Sequence, residues 1–336
     1  MITHAFPAEY GMTMGAQMTA VSKGGTNEFH GSVFEFLRNS ALDARNFFDK
    51  KQKETDPRIP DFRRNNFGGS FVGPIFRDKL FFFATYEGVR ESLGVSQVLG
   101  TPTAQARQDG AVIGGVTIPR IAESIRPYLA LYPLPTEPAP NDPAGLQGIG
   151  RFTYVFKQPT REDFGQGRAD YNFSERDSAF FRFTVVDSDR TTPTNFPLYT
   201  RTTEGIGNYL TVAENHTFSP TVLNTFRFSY ARSDGPQTAG FDPRSLDPAL
   251  GYTAGQQMGR IVVSSGISNL GDTGSTPGQN FQSLYTFSND VFWSRGAHSL
   301  KFGTLVNTFR VRGRSSGNDL GTYTFAALTQ LLRAEP

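Results

Sequence analysis

Five polar side chains near the middle of the chain have the types and spacing needed to bind a polar solute. They are Gln166, Arg168, Asp170 and Asn172 on one segment and Arg182 on the next. Side chains at every second position of a β-strand point to one face, so these amide, guanidinium and carboxylate groups would share a surface. Such a surface could contact a solute, but its commoner roles are to hydrate the wall of a sheet or to contact a domain packed inside it.

No other group of residues has the spacing of a catalytic or metal site. The histidines, His4, His30, His216 and His298, are scattered and lack the i, i+4 spacing of a zinc-binding helix. The sequence contains no Gly-x-Ser-x-Gly elbow and no Walker loop. We therefore expect no catalytic residue, no cofactor, no metal ligand and no enzyme activity.

The loop at 268–280 is the nearest approach to a cation site. It carries Asn269, Asp272 and Asn280, whose side-chain oxygens are ligands of the type that Ca²⁺ prefers. Their spacing is not that of a known calcium loop. We therefore interpret this segment as a plain loop.

The composition favours one large β domain. Among 336 residues there are 31 Phe, 35 Gly and 21 Pro but no Cys, a set typical of strands and turns. The formal net charge of +2 gives no reason to expect nucleic acid as a partner. The absence of Cys excludes disulfides and thiolate metal sites, and no segment approaches the roughly 18 apolar residues of a transmembrane helix.

The amino terminus lacks the features of an exported protein. Its first ten residues have neither the basic start nor the apolar core of a signal peptide. Two explanations are open at this point: a cytoplasmic protein, or a fragment whose true start lies upstream.

Alternation of apolar and polar residues predicts about nine strands joined in two ways. Tight turns are predicted at 73–79, 174–177, 219–221 and 295–298, and long Gly- and Pro-rich loops at 39–63, 89–162, 188–207 and 233–281. Short helices are expected at 42–48 and 119–131 and near residue 331. Loops longer than about 15 residues are uncommon in compact soluble domains, whereas short turns at one end and long loops at the other are typical of membrane barrels. The sequence therefore predicts an all-β, antiparallel up-and-down meander that forms the N-terminal part of a transmembrane β-barrel and is incomplete.

Several motifs have a familiar form. The stretches are EYG at 9–11, VSKGGTNEFHGSVFEFLRN at 21–39 and NNFGGSFVGPIFRDKLFFFATYEG at 65–88, with YPLP at 132–135 and RADY at 168–171. Together they resemble the join between plug and barrel in TonB-dependent outer-membrane receptors of the Oar-like branch. The resemblance spans essentially the whole chain and is most specific over residues 9–90.

This resemblance implies a division of the chain and a cellular role. Residues 1–27 would be the C-terminal end of a plug domain, and residues 28–336 a partial outer-membrane barrel. The whole receptor would take up a large or scarce solute, with energy supplied through TonB. The implied partners are outer-membrane lipid, an unknown extracellular solute, and the TonB complex, which would act through N-terminal parts that lie outside this chain.

The residues of these strands also predict, without the family name, which side chains meet lipid. The aromatic residues would face lipid or the aromatic girdle, and the charged ones the lumen or its rim. The aromatic set is Phe34, Phe36, Phe67, Phe71, Phe81 and Phe83, and the charged set is Glu35, Arg38 and Glu87. The long loops would then lie outside the cell and the tight turns in the periplasm.

Other functions remain open at this stage. The long loops suit a surface or adhesion protein that transports nothing, and the chain is also compatible with a non-functional truncated fragment. A soluble β-sandwich enzyme fits less well, because the aromatic faces and one-sided loops do not suit it.

Overall fold

The computed structural model describes residues 22–44, 61–140, 142, 145–243, 247–254, 256–271, 278–315 and 318–336. Residues 1–21, most of the segment assigned to the end of a plug, lie outside this part of the chain. Most of the predicted helix at 42–48 and the centre of the loop at 268–280 lie outside it too.

Nine long strands form one sheet, which we call the wall. They are β1 (His30–Asn39), β2 (Phe62–Phe76), β3 (Leu80–Pro102), β7 (Ile149–Asn172), β8 (Asp177–Pro193), β9 (Tyr199–Ser219), β10 (Val222–Asp234), β13 (Gly278–Arg295) and β14 (His298–Ser315). Each pairs antiparallel with the wall strand that comes next in the sequence. The predicted up-and-down meander is therefore confirmed.

The tight turns gather at one end of the wall, the short-turn end. Between strand ends they cover residues 77–79, 173–176, 220–221 and 296–297. In the first turn Asp78 adopts φ +62°, and in the last Gly296 adopts φ +59°. This left-handed conformation is open to Gly at no steric cost but disfavoured for most other residues, so Asp78 needs support from its neighbours. The opposite end of the wall is the long-loop end.

Strand register sorts the side chains onto a polar and an apolar face. Residues paired across a ladder point to the same side of the sheet. One row contains Phe83, Arg168, Arg182, Thr211, Ser229, Thr286 and Asn307. The adjacent row, on the other face, contains Phe82, Ala169, Phe181, Val212, Phe228, Phe287 and Val306.

The predicted lipid-facing aromatic set is divided between these faces. Phe67 and Phe71 lie on the apolar face, whereas Phe34, Phe36, Phe81 and Phe83 lie on the polar face with Arg168. Of the predicted lumen-facing charges, Arg38 and Glu87 share the polar face, but Glu35 pairs with Phe67 on the other. Only pairing register decides which side a strand presents, because a one-residue offset exchanges its two faces.

Two of the predicted loops are shortened because their ends are strand. β3 and β7 continue their ladder from Leu80↔Tyr171 to Pro102↔Ile149, so the predicted loop at 89–162 shrinks to residues 103–148. β8 and β9 leave only residues 194–198 between them.

At the long-loop end the connections pack into a unit that we call the cap, residues 103–148, 194–198, 242–271 and 318–336 where described. It contains a hairpin of β4 (Ala111–Ile113) and β5 (Val116–Ile118) and a parallel pair of β12 (Arg260–Val263) with β15 (Thr322–Phe325). Short strands β6 (Glu137–Pro138) and β11 (Gln237–Phe241) pair with β7 and β9 at the junction with the wall.

The cap helices are short. The predicted helix at 119–131 is reduced to α1 (Arg126–Leu131), with Pro127 in its first turn, where proline is tolerated. The expected helical insertion near residue 331 is α2 (Leu328–Arg333). No helix in the described ranges has the length and apolar character needed to cross a membrane.

Candidate functional site

The polar face of the wall holds the chain segment that precedes β1. Arg168 and Asp170 on β7 form an ion pair with Nη2 and Oδ1 separated by 2.6 Å, and their side chains are 13% and 22% exposed. The guanidinium also lies 4.2 Å from the centre of the Phe180 ring, a distance suited to a cation–π contact. Both charged groups are therefore fixed in place on the wall.

Each member of this pair binds the backbone or side chain of residues 22–27, which we call the anchored segment. Arg168 Nη1 donates to Ser22 Oγ at 2.6 Å and to the Ser22 carbonyl at 3.3 Å. The Gly25 amide donates to Asp170 Oδ2 at 3.3 Å. These charge-assisted hydrogen bonds attach the segment to a strand almost 150 residues away in sequence.

The close approach of the segment depends on a glycine. A Cβ at Gly25 would lie 1.9 Å from the Phe81 Cβ, which no arrangement of real atoms permits. A Cβ at the neighbouring Gly24 would find its nearest atom, Asp170 Oδ2, at 3.5 Å, an ordinary contact. Of these two positions, only that of Gly25 excludes every residue type except glycine.

A second attachment lies at the β2–β3 turn. Asn27 Nδ2 donates to Asp78 Oδ1 at 2.6 Å, and the Asp78 amide donates to Asn27 Oδ1 at 2.8 Å. This reciprocal pair supports the left-handed backbone of Asp78. The segment is thus held at two points near the short-turn end.

The predicted polar set has divided roles. Arg168 and Asp170 touch the anchored segment, and Asn172 Nδ2 donates to the Asp78 carbonyl at 3.3 Å. Gln166 Nε2 donates to Thr184 Oγ1 at 3.1 Å, and Arg182 Nη2 donates to Thr211 Oγ1 at 3.2 Å. The last two therefore bind other wall strands. Solute contact by this set stays a prediction.

A cluster of polar side chains around the Asp163 carboxylate lies on the long-loop side of the apolar face. Asp163 Oδ1 accepts from Tyr86 Oη at 2.5 Å and from Arg90 Nη2 at 2.7 Å. Toward the short-turn end the pairs on this face become apolar, with Phe183 opposite Leu210 and Phe181 opposite Val212. Asp163 thus lies at the border of the apolar surface.

In the cap, Arg107 is a half-buried cation whose main partners are backbone carbonyls. It donates to the carbonyls of Pro102, Leu129, Tyr132 and Pro133 at 2.7–3.1 Å. Burial lowers the pKa of its guanidinium. Two of the carbonyls belong to the YPLP motif, so this arginine fixes that motif to the end of β3.

Contacts between loops make the cap a single packed unit. The Ala122 amide donates to the Leu332 carbonyl at 2.9 Å, and Tyr128 Oη donates to the Leu250 carbonyl at 2.9 Å. The Ser268 amide donates to the Gly100 carbonyl at 3.0 Å. The fully buried side chains of the core come from all four cap segments and include Ile118, Ile121, Phe196, Leu270 and Leu332.

Sequence reasoning missed the cap core. Its signal was present as apolar residues, of which Ile113 and Ile118 fall in a segment predicted as a loop and Ile121 and Ile125 in the predicted helix at 119–131. Ile118, Ile121 and Ile125 have the i, i+3, i+7 spacing of a helix, but that spacing does not show that they pack against the other cap segments.

Comparison with known proteins identifies the wall. A profile of the family described as outer membrane beta barrel domain matches residues 21–334. The chain belongs to this family. It therefore lies in the bacterial outer membrane, with the apolar face of the wall toward lipid.

Individual relatives are more distant. The chain is 30% identical over 173 residues to the TonB-dependent transporter Oar of Myxococcus xanthus, a match that covers 49% of this chain and 15% of the relative. The outer membrane transporter YddB from Escherichia coli, known from a crystal structure, has a TM-score of 0.43 and 12% identity over 75% of this chain and 26% of its own. That score is too low to establish a shared fold. The chain spans less than a third of either relative.

Proposed function

We propose that this outer-membrane barrel segment belongs to a TonB-dependent transporter of the Oar-like kind, which takes up a large or scarce solute with energy supplied through TonB. In this proposal residues 1–27 end a plug domain, and residues 28–336 supply part of the barrel. The similarity to the Myxococcus transporter supports the proposal. The chain itself would carry no enzyme activity.

The anchored segment is the observation that carries the proposal. Ser22, Gly25 and Asn27 lie on the polar face, held by Arg168, Asp170 and Asp78. The polar face is where the proposal expects the end of a plug to join the barrel. Pulling on the plug would then load these hydrogen bonds.

The cap suits the capture step of such a cycle. Long loops of outer-membrane barrels lie on the extracellular side, so we place the cap outside the cell. Because its four segments share one core, we propose that they meet the solute as one body.

The proposal is tested by labelling the anchored segment in cells. Ser22→Cys, introduced into the full-length protein on this cysteine-free stretch, would be exposed to a membrane-impermeant maleimide with TonB present or deleted. We expect labelling to rise severalfold only when TonB and the proton-motive force are both present. Ser288→Cys, on the polar face of β13, is the control and should label equally in all strains.

Variants at the two glycines sharpen the test. Gly25→Ala cannot keep its position against Phe81 and should expose Ser22→Cys even without TonB. Gly24→Ala has room for its methyl group and should label like the parent. Equal labelling of Ser22→Cys with and without TonB would contradict energy-coupled movement.

A surface or adhesion protein is the second candidate. Its support is the cap, whose hydrogen bonds between segments produce a fixed outer surface. That function predicts retained partner binding, with unchanged labelling of Ser22→Cys, in a strain that lacks TonB.

A further inference from the structure

Three potential metal ligands meet on the apolar face at the short-turn end. Asp177 begins β8 and pairs in register with His216 of β9, and Glu214 lies two residues earlier on the same side of β9. One ligand atom of each lies within 4.8 Å of the other two. All three residues are half-buried.

From this geometry we propose that Asp177, Glu214 and His216 bind one divalent transition-metal ion of the Zn²⁺ class. The donor set is one imidazole nitrogen and two carboxylate oxygens. Zn²⁺ binds such atoms at about 2.0–2.2 Å, so neighbouring ligand atoms of a tetrahedral centre lie about 3.5 Å apart. The ligand atoms of this cluster lie within 4.8 Å of one another, and Asp177 Oδ1 and His216 Nδ1, which are 2.5 Å apart, would separate to admit the ion.

The choice of metal follows from the ligand types. Ca²⁺ prefers six to eight oxygen ligands, whereas this site offers only three protein ligands and one of them is nitrogen. Imidazole favours transition metals such as zinc. The neighbouring amide of Asn224, opposite His216 on β10, is committed to Asn289 Oδ1 at 2.9 Å. The remaining positions on the metal would be open to water.

The local hydrogen bonds orient the ligands. Ser174 Oγ donates to Asp177 Oδ2 at 2.6 Å, and Asp177 Oδ1 lies 2.5 Å from His216 Nδ1. The His216 ring packs edge-on against Phe218 with centroids 4.3 Å apart. The contacts of Ser174 and Phe218 are of the supporting kind that fixes the orientation of metal ligands, whereas the Asp177–His216 hydrogen bond would be replaced by bonds to the ion.

Electrostatics also favours a bound cation. Glu214 pairs with Ala179 on one side and with Phe226 on the other, both on the apolar face. Among the described residues no hydrogen bond or ion pair to its carboxylate is found. A charge on the lipid-facing side of a barrel is destabilising, and a dication shared with Asp177 and His216 would offset it. The ion would also join β8 to β9 at this end.

Sequence spacing alone does not reveal this site. Glu214 and His216 are two residues apart, and Asp177 is supplied by the adjacent strand. Only the β8–β9 register completes the set.

The test is metal titration of the full chain folded in detergent. Co²⁺ serves as the absorbing probe, and Zn²⁺ competes for the site. The parent protein should bind one equivalent of Co²⁺ with visible bands that Zn²⁺ abolishes. His216→Gln should lose these bands, whereas His298→Gln, which alters an exposed histidine at the same end, should keep them.

Three further variants distinguish a metal site from the Asp177–His216 pair alone. Glu214→Gln should weaken Zn²⁺ binding at least tenfold, and the turn variant Glu175→Gln should leave it unchanged. Ser174→Ala should weaken it about 10-fold to 100-fold by releasing Asp177. Retained strand signal in circular dichroism confirms folding of each variant. The proposal is overturned if the parent shows no saturable binding below about 1 mM, or if folded His216→Gln or Glu214→Gln binds as the parent does.

Discussion

The wall and the cap place their apolar side chains in opposite surroundings. On the wall, Phe287 is 47% exposed on the face that meets lipid, whereas in the cap Phe196 is fully buried by other parts of the chain. The wall thus depends on the membrane as its apolar solvent, while the cap carries its own core. One chain therefore contains two regions with different sources of stability, and substitutions should separate them.

The largest expected effect is in the cap core. Phe196→Ala should destabilise the cap by about 3–5 kcal/mol, because it removes a buried ring and leaves a cavity. Hydrogen exchange of cap amides measures the loss. Leu134→Ala, at an exposed cap position, is the control, and an equal effect of both substitutions would refute a packed core.

The next largest effect concerns the two faces of the wall. Phe287→Arg places a charge toward lipid and should cost about 2–4 kcal/mol if the residue lies near the membrane midplane. Ser288→Arg changes the adjacent residue, on the polar face, and should cost much less. Denaturant unfolding from lipid vesicles compares the two. A larger cost for Ser288→Arg would reverse the assignment of the faces.

A smaller effect should follow loss of the half-buried cation in the cap. Arg107→Leu removes the guanidinium donor from the carbonyls of Pro102 and Tyr132, at a cost of about 1–3 kcal/mol, whereas the Pro133 carbonyl keeps its hydrogen bond from Thr101 Oγ1. The thermal unfolding of the cap reports it. Arg120→Leu removes an exposed pair with Glu123 and should cost clearly less, because solvent screens such surface pairs. Similar costs would mean that Arg107 does not hold the YPLP motif.

The smallest effect is a pH dependence confined to the cap. The Ile121 amide, and then Arg126, lower the pKa of Asp109. Its ionised form therefore stabilises the cap above the ordinary Asp pKa, and this contribution is lost as pH falls through the lowered value. Asp109→Asn should flatten the acid limb of the cap melting curve and leave that of the wall unchanged. A curve that coincides with the parent would disprove the contribution.

The wall was largely predictable because its signal is local. A period of two residues and turn-forming sequences at 174–177 and 295–298 determine a meander without knowledge of distant contacts. The polar set at Gln166, Arg168, Asp170 and Asn172 followed from the same period. The period did not predict which aromatic residues lie on the same face as this polar set. Only the pairing between strands assigns Phe81 to that face and Phe67 to the other.

The cap and the anchored segment were not predictable for the same reason. Ile118, Phe196 and Leu332 become neighbours only after the wall strands bring their loops together. The contact of Ser22 with Arg168 likewise joins residues far apart in the sequence. These contacts between distant segments have no periodic signature along the chain. A single sequence therefore contains the residues but does not show which of them come into contact.

The composition of the cap core has a consequence for the order of folding. Leu99 and Leu332 belong to the same core although more than two hundred residues separate them, and such non-local contacts form slowly because long loops must close first. The wall, by contrast, can grow hairpin by hairpin from adjacent strands. We expect refolding in vesicles to show two phases, with strand formation preceding protection of the cap. A protease added between these phases should remove cap segments and spare the wall.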